Sequence, residues 1–195
     1  MPRYGIPQTN ALGVSMANMQ RLAKEIGVDH KLALALWKTG CYEARSVAAL
    51  IDDPAKVTPA QMDAWCRDFD SWAICDTVCF KLFDRSPHAL AKIDKWAKSD
   101  AEFVKRGAFA LLACVALHDK NAAASEFVMR LPLIEKAATD DRNFVKKGVS
   151  WALRAIARRT DCTELAQRLA ASENKAARWI GKDALRDIKK LGGKK

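Results

Sequence analysis

The chain has 195 residues, 50% of them hydrophobic, with 33 basic and 23 acidic side chains and a formal charge of +10. The excess is lopsided: residues 1–100 carry 13 basic and 12 acidic side chains, residues 101–195 carry 20 and 11. That much apolar residue excludes a disordered basic tail, no run approaches the ~20 residues of a bilayer-spanning helix, and the basic half points toward an anionic partner.

Helix punctuation recurs along the chain and no segment alternates as a strand does, so the expected fold is all-α, with about eleven short helices. Ser15 opens a helix that Gly27 closes; Asp29 opens one that Gly40 closes; Tyr42 to Asp52 stops before Pro54. Thr58-Pro59 and Ser86-Pro87 each set a capping hydroxyl before a proline suited to the first helical position. Asp70, Ser99 or Asp100, Asp140, Asp161 and Ser172 are expected to begin the later helices, and Pro132 to start, bend or end whatever lies between Ala123 and Thr139. Residues 1–14 read as an N-terminal tail and 191–195 as a flexible basic tail on a single domain spanning 1–195.

Met1–Asn10 has no secretory h-region, so a cytoplasmic, intracellular protein without a membrane partner is expected. Six cysteines lie scattered through apolar stretches with no Cys-x-x-Cys and no histidine pair at zinc spacing, which reads as buried thiols in a reducing compartment and no metal site. His30, His88 and His118 stand apart from any partner motif, so neither a catalytic histidine nor a cofactor is expected.

Repeats organise the second half. Phe103-Val104-Lys105-Arg106-Gly107 returns as Phe144-Val145-Lys146-Lys147-Gly148, 41 residues later, and Ala152-Leu153-Arg154-Ala155-Ile156 returns as Ala184-Leu185-Arg186-Asp187-Ile188, 32 residues on. Such periods, two helices each, fit a right-handed α-solenoid of HEAT-like repeats with a concave basic groove.

On the helix near Asp140, Val145, Val149, Ala152 and Ile156 form the core stripe, while Lys147, Trp151, Arg154 and Arg158 form a second one at the same spacing. Two readings of the second stripe stand: Trp151 packs on a neighbouring repeat under basic stems, or cations meet phosphates while the indole meets a base or sugar. One repeat earlier Arg106 occupies the place of Lys147, with Ala110 and Ala113 where Trp151 and Arg154 stand, a face a large ligand could approach. Lys105 and Lys146 add paired charge, making a candidate phosphate track. In the apolar helix after Asp70, Trp72 and Asp76 lie one turn apart on one face. A carboxylate there is either salt-bridged to an arginine between repeats or held ionised in a basic groove.

At these residues the chain resembles the AlkD-like DNA alkylation repair enzymes, the HEAT-like-repeat DNA glycosylases. The likeness is carried by Ser71-Trp72-Ala73-Ile74-Cys75-Asp76, by Phe103-Val104-Lys105-Arg106, and by Lys147-Gly148-Val149-Ser150-Trp151-Ala152-Leu153-Arg154, and extends over about Met16 to Lys190. It implies excision of N3- and N7-alkylated purines from duplex DNA by a monofunctional glycosylase, with no cofactor and as a monomer. Trp72, Asp76 and Trp151 match the family's catalytic cleft and Arg106 its backbone-contacting arginine; Lys105, Lys146, Lys147, Arg154 and Arg158 are the further DNA contacts expected from the basic stripes. The chain departs from the family pattern at Ala73, where an acidic residue is common, and in a longer interval from Arg106 to Trp151. The alternatives are a non-catalytic binder of damaged or branched DNA on the same fold, and a protein–protein scaffold.

Overall fold

The computed structural model describes residues 10–192, among which there are twelve α-helices and one 3-10 turn, Phe83–Arg85, and no strand. The helices are α1 Met16–Ile26, α2 His30–Lys38, α3 Tyr42–Ile51, α4 Pro59–Arg67, α5 Trp72–Lys81, α6 Ala89–Trp96, α7 Glu102–His118, α8 Ala124–Val128, α9 Leu131–Ala137, α10 Asn143–Ile156, α11 Thr163–Ala171 and α12 Lys175–Gly192. The contacts gather into two compact units, Met1–Lys92 and Ile93–Lys195.

The first helices start where local chemistry predicts. Ser15 accepts from the Asn18 N–H, Asp29 from Leu32 at 2.9 Å, and Thr58 from Gln61 at 3.1 Å with Pro59 following, while Gly27 ends α1 at φ 76°. Later starts lie further on than expected. Ser99, Asp140, Asp161 and Ser172 accept the N–H two residues ahead, from Ala101, Arg142, Thr163 and Asn174 at 2.9–3.2 Å, and the helices begin only after these turns. The same short polar side chains thus build Asx- and ST-turns rather than N-caps. Ser86 does likewise with His88, so α6 begins at Ala89 rather than at Pro87, and Ser71 rather than Asp70 precedes α5. Pro132 stands at the start of α9.

In the first unit Trp37 of α2 stacks on Trp65 of α4, centroids 3.9 Å apart and nearly coplanar, and its indole N–H donates to Asp68 at 2.8 Å. The expected N-terminal tail is fastened at its end. Buried Glu43 accepts the N–H groups of Leu12, Gly13 and Val14 at 2.8, 2.8 and 3.2 Å. Burial alone would raise the Glu43 pKa, but these backbone donors and the Cys41 thiol outweigh it and hold the carboxyl below its ordinary value. Residues 1–9 of that tail lie outside the described residues, as do Gly193, Lys194 and Lys195 at the other end, where α12 itself continues to Gly192.

In the second unit the sequence repeat is a packing repeat. The rings of Phe103 on α7 and Phe144 on α10, matched positions of the two copies, lie 5.3 Å apart, and α7 packs along α10. Gly148 faces α7 at ordinary contact distance, its absent Cβ 3.5 Å from Arg106 Cγ. α11 and α12 approach far more closely at Gly181, where a Cβ would stand 2.6 Å from the Ala166 carbonyl oxygen. Five of the six cysteines are buried and all are free thiols; burial pushes Cys162 up to about 11 and Cys66 higher still.

Candidate functional site

The first unit carries Trp72 and Asp76. α5 opens at Trp72, and its Ala73, Ile74, Cys75, Val78 and Cys79 are buried. Trp72, Asp76 and Phe80, at i, i+4 and i+8, form the less buried stripe, with Phe80 37% exposed. On a helix the Cβ atoms of Trp72 and Asp76 are roughly 5–6 Å apart. Both groups interact with neighbours, and both keep part of their surface open. Ala73, where the family pattern is often acidic, lies on the buried side.

The second unit carries the basic residues, and the structure sorts them. Lys146, Lys147, Trp151 and Arg154 belong to α10 and Arg158 to the turn that follows it; Lys105 and Arg106 belong to α7. Arg106 is 5% exposed and donates to the Phe144 carbonyl at 2.7 Å, while Ala110 and Ala113 are wholly buried. The approachable face expected along these three is therefore interior: α7 is buried without break from Arg106 to Ala116, as a helix apolar on every side is, and packs along α10. Lys105 turns to Asp140 at 3.2 Å. Asp140 also takes the Arg142 guanidinium, and the hydrogen bonds from Arg142 and Lys105 outweigh burial to hold its pKa down at about 2.

On α10 the stripe keeps two partly open members and loses two to ion pairs. Lys147 is exposed and Trp151 half-buried. Arg154 pairs with Asp183 at 3.2 Å and Arg158 with Asp187 at 3.7 Å, both acids on α12. Asp183 also accepts from buried Ser150 at 2.6 Å, a polar link that helix spacing in one segment does not reveal. Lys146 lies over the Trp179 ring, 5.2 Å from its centroid. The continuous phosphate track read from Lys105, Arg106, Lys146, Lys147, Arg154 and Arg158 thus reduces to an open Lys147, with Trp151 beside it and Arg158 half-exposed in its pair. Among the described residues no three His, Cys, Asp or Glu side chains cluster as metal ligands do, and no helix is long and apolar enough to cross a membrane.

Comparison with known proteins agrees with the all-α repeat architecture. A solved structure described as "A new family of proteins related to the HEAT-like repeat DNA glycosylases with affinity for branched DNA structures" superposes with a TM-score of 0.74 at 20% identity, over 95% of this chain and 86% of that one. At that identity the likeness is one of fold. No curated protein matches the chain. The family model for DNA alkylation repair enzymes matches residues 1–188, nearly the whole length. The chain belongs to the DNA alkylation repair enzyme family.

Proposed function

We propose that the protein hydrolyses the N-glycosidic bond of N3- or N7-alkylated purines in duplex DNA, acting as a monomer in the cytoplasm. Family membership supports the reading, and one observation carries it: a carboxylate, Asp76, stands with Trp72 on the partly open stripe of an otherwise buried helix. Such purines are already cationic, so the bond breaks with its electron pair passing to the ring nitrogen, and no general acid is required. Positive charge then grows on the deoxyribose. A preorganised carboxylate stabilises that charge more in the transition state than in the ground state, and accepts a hydrogen bond from the water that adds to C1′. The Trp72 ring favours cationic character at its face. Lys147 and Trp151, on α10, supply a charge and an apolar surface for the DNA backbone. Release of 7-methylguanine and 3-methyladenine from methylated duplex DNA tests the proposal.

A second reading has its own observation. Arg106 is buried and Lys105, Arg154 and Arg158 are in ion pairs, so fewer cations are open to a straight duplex than the sequence promises. That favours a binder of branched DNA, the ligand for which the structural neighbour is described. It predicts no base release and tighter binding to a four-way junction than to a duplex of equal length.

A further inference from the structure

α12 carries a stripe that the reading above does not use. Lys175, Trp179, Lys182, Arg186 and Lys189 fall at i, i+4, i+7, i+11 and i+14, within one narrow face, and all are exposed, Trp179 to 39%. The opposite face is the packing face: Ala176, Ala177, Ile180, Gly181 and Ala184 are buried. The stripe repeats the Lys, Trp, cation, Arg spacing of Lys147, Trp151, Arg154 and Arg158 on and just after α10, but with the opposite electrostatic outcome. Where Arg154 and Arg158 are both paired, Lys175, Lys182 and Lys189 have no acidic partner among the described residues. Arg186 alone meets an acid, Asp183 at 2.6 Å, and Asp183 is shared with Arg154, so one carboxylate faces two guanidinium groups. Exposed Glu173, in the turn before the helix, is the acid nearest in sequence to the start of the stripe.

We infer that this outward face of α12 is a phosphate-binding surface for the backbone of duplex DNA, beyond the Lys147 and Trp151 used above. From Lys175 to Lys189 the helix rises about 21 Å, the length of roughly six base pairs. Four cations spread over that length match a row of backbone phosphates. An exposed indole among lysines gives the sugars an apolar surface, and Lys146 over its ring fixes its place. The inference rests on the reading of the chain as a DNA-binding protein and is independent of catalysis at Asp76.

The test is binding of an undamaged 20-base-pair duplex between 50 and 200 mM salt, for the full chain and two triple variants. One is Lys175→Gln, Lys182→Gln and Lys189→Gln; the other, losing equal charge from the first unit, is Lys24→Gln, Lys31→Gln and Lys38→Gln. Each lost phosphate contact lowers the salt slope by about 0.9 and affinity at 0.1 M salt by roughly 8-fold. The α12 variant should lose about 2–3 units of slope and at least ~100-fold in affinity, with an unchanged melting temperature, and the control should nearly match the parent. Equal slopes for the α12 variant and the parent, or equal losses in the two variants, overturn the inference while leaving DNA binding intact. Absence of binding by the parent itself overturns the underlying reading as well.

Discussion

Gly181 is the position at which one methyl group should do the most damage. Its Cβ would stand 2.6 Å from the Ala166 oxygen and 2.7 Å from the Leu169 carbonyl carbon, with the Ala170 nitrogen closer still. All three are backbone atoms of α11, so no rotamer change relieves the clash and the two helices must part. Parting them loosens the buried contacts of Leu165, Ala166 and Leu169 with α12. Overpacking costs about 1–3 kcal/mol, with a rigid backbone obstacle at the upper end, and replacing a helical glycine by alanine returns about 1 kcal/mol of propensity. The net expectation for Gly181→Ala is a loss of about 2 kcal/mol, or roughly 4–8 °C in melting temperature for a chain of this size. Gly148→Ala is the matched control: its Cβ would meet neighbours at 3.5–3.6 Å, ordinary contact, so propensity dominates and stability should hold or rise by up to about 1 kcal/mol. Thermal unfolding followed by circular dichroism at 222 nm measures both. Equal melting temperatures for Gly181→Ala and the parent, or a gain, would refute the reasoning that these helices meet backbone to backbone.

Two further outcomes follow from ionisation. Asp140 is depressed to about 2 in the folded chain, so its pairing with Arg142 and Lys105 stabilises above its unfolded value near 4 and is lost as pH falls toward 2. Asp140→Asn should therefore cost about 1–2 kcal/mol at pH 7, after allowance for solvent screening, and the melting-temperature gap to the parent should close between pH 4 and pH 2; a gap constant across that range contradicts the assignment. The thiols give the second. Only half-buried Cys41 should react promptly with a thiol reagent at pH 8, and Cys66 and Cys162, both raised by burial, only on unfolding. Rapid titration of several thiols in the native chain would contradict the packing.

Much of this architecture was legible because its causes are local. The Ser15, Asp29 and Thr58 caps, the φ-positive Gly27, and Pro132 at the start of α9 each express a preference carried by one or two residues. The Phe103 and Phe144 repeat was legible too, since matched apolar patterns must stack to be buried. What escaped depends on residues far apart in sequence. Nothing near Arg154 or Arg158 reveals that Asp183 and Asp187 will meet them from α12, and the unbroken apolar run after Arg106 outweighs the repeat register that set Arg106 on an open face. The turn one or two residues before an N-cap favours the same residue types as the cap itself, which is why Ser99, Asp140, Asp161 and Ser172 read as caps and fold as turns. The stripe on α12 was hidden for another reason: only the register of one continuous helix aligns Lys175 with Lys189.

The central claim is that Asp76 stabilises a sugar cation, and the direct measurement is release of 7-methylguanine and 3-methyladenine from methylated duplex DNA, quantified by mass spectrometry for the parent and Asp76→Asn. Removing one preorganised electrostatic partner costs roughly 100- to 1,000-fold in rate. The parent should release base, Asp76→Asn should lose at least ~100-fold, and the variant should bind DNA as tightly as the parent or more so, since a carboxylate near phosphates is lost. Release by Asp76→Asn at the parent's rate, or no release by the parent under any salt condition in which it binds DNA, would contradict that claim.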